Sequence, residues 1–278
     1  MFRLARYAWT LLSFGFVLHA LSPAAKAVDG EGRSGLSPDD DAVFIIGNTL
    51  FTIYHELGHA LIDLLNLPVI GREEDAVDGF AAVTMIPETA DALRDALIVA
   101  VADGWRAQSE LAAVGGAQPY WGKHALDEQR YFAIVCLMVG SDQDGFYDYA
   151  LEAGLPEERI ASCADDFARM ETGWKQVLDP YERGLNADIG SAGTTITIAF
   201  DDPLPEQEGL YRLIQDGGLL EDGIQHLADR VDLPVPVVVR FSVCNRANAY
   251  WSRSRREVQI CYELIDEFEA ILSGTLTR

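Results

Sequence analysis

The 278-residue sequence predicts an α+β fold, mainly α-helical, with a small C-terminal β-sheet. Two observations predict it. As far as Pro180, apolar residues recur at helical spacing in one long stretch after another. Beyond Pro180, the runs "TTITIAF" and "VPVVVRFSVC" are dense in β-branched residues and read as strands. The length suffices for a single domain with an ample core, taken here as residues 41–278, helical over 41–180 and mixed over 181–278.

The elements follow in order. From Ala42 to Leu65 the apolar positions Phe44, Ile45, Leu50, Phe51, Tyr54, Leu57, Leu61, Leu64 and Leu65 keep a helical period. "NLPVIG" ends that helix, because Pro68 cannot continue it and Gly71 permits a sharp turn. A second helix begins near Arg72 and stops before Pro87. A third opens at Pro87 itself, with acids in its first turn. After a loop at "GGAQPYWGK", "ALDEQRYFAIVCLMVGS" gives a fourth helix and "PEERIASCADDFARMETGWKQVL" a fifth. "LYRLIQDGGLLEDGIQHLADRV" is helical with a Gly-Gly interruption, and "NAYWSRSRREVQICYEL" alternates like a hairpin with an arginine-rich turn.

The first 27 residues stand outside this domain. They have a basic start (Arg3, Arg6), an apolar run and a small-x-small end at Ala25-Lys26-Ala27, the pattern of an export signal. Residues 28–40, rich in Gly, Ser and Asp, read as a flexible leader. Export to the periplasm or beyond favours disulfides among the four cysteines, and sequence neighbours pair most simply. Cys136–Cys163 would then staple the fourth and fifth helices, and Cys244–Cys261 the hairpin. The net charge is −23, and the first 27 residues contribute only basic groups, so the remainder is more acidic still. Such a field repels nucleic acid and anionic lipid surfaces. No stretch calls for stable membrane insertion once the signal is removed.

The chemistry concentrates at "HELGH", residues 55–59, and "REEDAVD", residues 72–78. Helix positions four apart are rotated by ~40°, so His55 and His59 share a face and can converge on one ion, with Glu56 ~100° round from His55. A zinc site that keeps an open position wants a third protein ligand. Glu74 supplies it, with Glu73 the alternative. Asp78, four residues on, can take the outer N–H of a ligating histidine and fix its tautomer. Glu73 and Asp75 otherwise read as solvated. Gly58 leaves room beside the ion on the substrate side. Glu56 is then placed as general base.

"HELGH" followed by "EDAVDGFAA" resembles the gluzincin class of zinc peptidases, in which HExxH is joined by a later ExxxD helix. More closely, "HELGHALIDLLNLPVIGREEDAVD", "HALDEQRYFAIVCLMVGSD" and "NAYW…VQICYEL" resemble an uncharacterised bacterial family of metallopeptidases over about residues 42–270. The resemblance implies a zincin-like fold, one Zn²⁺, a peptide or protein substrate and metal-dependent proteolysis. The reading from another class is an exported metal-binding or protein-interaction domain without catalysis. Two residues are candidates for stabilising a transition-state oxyanion, His124 and Tyr262. The hairpin segment is a candidate edge along which an extended substrate could lie.

Overall fold

The computed structural model describes residues 38–89, 91–115, 120–183 and 196–276. The expected export signal at 1–27 and the expected leader, as far as residue 37, lie outside the described residues. Helix α1 spans Pro38–Leu65 and starts four residues before its apolar period becomes legible at Ala42. It is apolar almost all round, and Ile53, Tyr54, Leu57 and Leu61 are each 2% exposed or less. A helix with that pattern belongs inside. It packs against α2 (Glu73–Met85), α3 (Ala92–Gly115), two later helices and the sheet. Its buried Asn48 donates to the carbonyls of Phe44 and Ala100, which satisfies the amide and ties α1 to α3.

Helix α3 begins at Ala92, not at Pro87. The Asp91 carboxylate accepts from the amides of Leu93 and Arg94, so Asp91 caps the helix. The Pro-Glu signal marked the end of α2 instead. Helices α4 (Asp127–Ser141) and α6 (Glu157–Leu178) form the expected next pair. Between them lies α5 (Gln143–Glu152), which the sequence reading missed. Asp142 breaks α4 and caps α5 by accepting from the Gly145 amide, and Phe146 and Ala150, four apart, bury its inner face.

The C-terminal part contains β1 (Ile196–Phe200), α7 (Glu208–Asp216), α8 (Leu219–Ala228), β2 (Val237–Ser242), β3 (Ala249–Ser252), β4 (Glu257–Cys261) and α9 (Tyr262–Leu272). The interruption between α7 and α8 is Gly218, at φ 65°, a left-handed conformation that glycine adopts without a Cβ penalty. The four strands form one sheet in the order β1-β2-β4-β3. β1 and β4 both run parallel to β2, while β3 and β4 form the expected antiparallel hairpin. β3 therefore ends the sheet.

Both cysteine pairs are disulfides, with S–S distances of 2.03 and 2.08 Å. Cys136–Cys163 joins α4 to α6. Cys244–Cys261 ties the chain just past β2 to the end of β4, two neighbouring parallel strands, rather than closing the hairpin. Two disulfides are consistent with an extracellular location. Among the described residues, no helix is long and apolar enough to cross a membrane.

Candidate metal centre

Two helices and one turn bring the candidate residues together. α1 presents His55 and His59 from one face, and the loop 66–72 folds back so that α2 crosses it, acids first. Gly58 permits the crossing. A Cβ there would lie 2.9 Å from Val77 Cγ1 and 3.2 Å from Phe80 Cδ1, so the space is filled by α2 and not by substrate, a correction to the sequence reading. Glu73, Glu74 and Asp75 fall in the first turn of α2, where carboxylates are favoured by the exposed backbone amides.

The two histidines are oriented in the same way. His55 Nδ1 lies 2.7 Å from Asp78 Oδ1, and His59 Nδ1 lies 2.7 Å from Glu73 Oε1. Both Nε2 atoms then face Glu74 Oε2, at 3.4 Å from His55 and 3.2 Å from His59. Asp78 is itself clamped by Arg130 of α4, whose Nε donates at 2.6 Å and whose terminal nitrogen at 2.5 Å. Arg130 in turn lies over the Trp105 ring, 3.5 Å from its centroid. This gives a chain from Trp105 through Arg130 and Asp78 to His55.

The reading of Glu73 as solvated is corrected: although half exposed, it holds His59. Asp75 pairs with Arg72 on the surface. His124, in the turn before α4, places Nδ1 at 3.3 Å from Glu74 Oε2 and stacks on His55. Tyr262 does not reach the centre. Its hydroxyl donates to the Asp201 carbonyl at 2.7 Å and its ring packs among Tyr211 and Phe241, so it is a core residue.

Glu56 faces the sheet. It is buried, and its Oε2 accepts from the Trp251 amide of β3 at 2.8 Å. The Trp251 indole donates to Asp63 one turn after His59, and Arg253 pairs with the same carboxylate. The edge strand is thus pinned to the histidine helix. Sequence reasoning missed Arg130, Trp251 and Asp63, because their partners lie far away along the chain.

The charges are strongly coupled. Burial raises the Glu56 pKa, and the neighbouring histidines offset this only in part. Burial disfavours the His55 cation, but hydrogen bonds to Asp78 and Glu74 outweigh it, pushing the group up to about 9. Glu74 is held well below the usual carboxylate range by its hydrogen bonds to His55 and His59.

The donor set fits a zinc ion. Ligands at ~2.0–2.1 Å in tetrahedral array stand about 3.3–3.4 Å apart, close to the separations of 3.2 and 3.4 Å observed here. Two imidazoles and a carboxylate, each imidazole with its outer nitrogen on a carboxylate, form one of the donor sets that hold a catalytic zinc ion.

Residues 24–178 and 202–276 match the model of the family DUF4344, described as "Putative metallopeptidase". The chain belongs to this family. The first matched segment carries the HELGH helix, the acids of α2, His124 and Arg130, and the second carries β3 with Trp251. Membership of the family supports a peptidase, with a metal and a peptide or protein substrate. No curated protein and no solved structure matches the chain.

Proposed function

We propose that this DUF4344 member is an exported zinc-dependent peptidase, with His55, His59 and Glu74 holding one ion and Glu56 acting as general base. The observation that carries the reading is the convergence of both histidine Nε2 atoms on one Glu74 oxygen, with each Nδ1 held by a carboxylate of α2. A zinc ion bound there supplies a Lewis acid that polarises a peptide carbonyl and activates water. Asp78 and Glu73 keep the rings in the tautomer that leaves Nε2 unprotonated toward the ion. Glu56, raised in pKa by burial, takes a proton from the attacking water and hands it to the leaving amine.

β3 is the natural seat for substrate in this reading. It ends the sheet, and the Trp251 amide points away from β4, toward Glu56. Antiparallel alternation then directs the amide and carbonyl of Ala249 outward as well. An extended peptide added along this edge would take the Trp251 amide from Glu56 and carry its backbone past that carboxylate, in the strand-addition mode.

The test is Glu56→Gln against an unbiased peptide library. It is expected to bind metal as the parent does, with hydrolysis reduced by ~10²–10⁴-fold. Hydrolysis at the parental rate would rule out Glu56 as the base.

A further inference from the structure

We propose that His124 is a fourth protein ligand of the metal, closing the resting site, and that it withdraws to admit substrate. The inference rests on the metal-site reading above. It departs from that reading's open position: catalytic zinc sites keep one coordination place for solvent, and four protein ligands mark a closed site.

Three observations carry it. His124 Nδ1 lies 3.3 Å from Glu74 Oε2, between the separations of 3.2 and 3.4 Å at which His59 and His55 approach the same oxygen. All three contacts match the edge of about 3.3–3.4 Å expected between ligands of a tetrahedral zinc ion. Ligand atoms of His55, Glu74 and His124 also lie within 4.8 Å of one another, close enough for one ion to touch all three, while His59 stands outside that set of three and meets it through Glu74 Oε2. Finally, the three imidazoles are mounted differently. His55 and His59 project from α1, with Nδ1 fixed by Asp78 and Glu73. His124 stands in the turn at 120–126, its side chain is 52% exposed, and no hydrogen bond among the described residues fixes its Nε2.

The same stretch explains how the ring is delivered. Six residues on, Arg130 grips Asp78, which anchors the start of α4 against α2 and sets the turn before it beside Glu74. Departure of His124 exchanges one neutral donor for another, water, so the buried centre opens without a change in its charge. That makes His124 the ligand able to leave, whereas losing Glu74 would expose a cation among histidines.

The experiment uses the chain loaded with ¹¹³Cd in place of zinc and labelled with ¹⁵N at histidine. Three imidazoles are expected to show one-bond coupling to cadmium, His55 and His59 through Nε2 and His124 through Nδ1. His124→Ala is expected to lose one of them and to bind zinc at least about tenfold more weakly against a competing chelator, while its circular dichroism stays parental. Coupling to only two imidazoles in the unaltered chain would overturn the proposal and leave His124 to face the substrate oxyanion. A chain that takes up no metal would overturn this proposal and the peptidase reading together, so the two failures are told apart.

Discussion

At the residue scale, the centre depends on groups that hold ligands as much as on the ligands. His55 is fixed through Asp78, and Asp78 through Arg130 on the Trp105 ring. Asp78→Asn removes the charge from the middle of that chain. The expected result is a fall in zinc affinity of ~10–100-fold, read by chelator competition, with Glu56 untouched. The pairs His55/His59 and Glu74/Asp78 were legible in the sequence because the helical period alone places residues four apart on one face. Glu73 misled, because nothing in its spacing says that His59 would turn its outer nitrogen toward it. Arg130 and Trp251 were not legible at all. Their contacts with Asp78 and Glu56 span 52 and 195 residues, and only the fold brings them together.

At the element scale, the decisive event is the crossing of α2 over α1. It puts the acids of α2 against the histidines, and Gly58 makes it close enough. Gly58→Val would drive its side chain into Val77 and Phe80, which sit on α2 itself and cannot yield without moving the helix. A loss of ~1–3 kcal/mol in chemical denaturation is expected, together with weaker metal binding as Glu74 is displaced. The sequence marked both helices and the Pro68–Gly71 break between them. It misplaced the start of α3 because a Pro-acid opening and an Asp cap both signal a helix start, and the capping geometry of Asp91 prevailed. It missed α5 because ten residues with two buried anchors give too short a period to recognise. The strands were visible from their β-branched runs. Their order was not, since the chain runs from β2 to β3 across residues 243–248 and only then returns as β4 to fill the place between them.

At the scale of the whole molecule, stability and metal are linked through the same titrating groups. In the metal-free chain His55 is raised from its ordinary 6.5 to about 9. Its contribution is therefore complete below about pH 6.5 and is lost as pH rises through about 9. Glu74 and Asp78 are lowered, so their contributions are present above the ordinary carboxylate range and are lost on acidification. Melting in the presence of a chelator should thus be highest between about pH 5 and 6.5 and fall on both sides. Zinc should lift the alkaline side most, because it takes the histidines in their neutral form. A chelated chain whose melting temperature is flat from pH 6.5 to 9.5 would contradict this coupling. The two disulfides, by contrast, join elements already adjacent in the fold.

In the proposed reading, one ion held by α1 and α2 makes this chain a peptidase. This is tested most directly by metal content and peptide hydrolysis, followed through chelation and stepwise return of zinc. About one zinc per chain, loss of hydrolysis on chelation and its recovery at stoichiometric zinc are expected. Undiminished hydrolysis by the metal-free chain would contradict that reading.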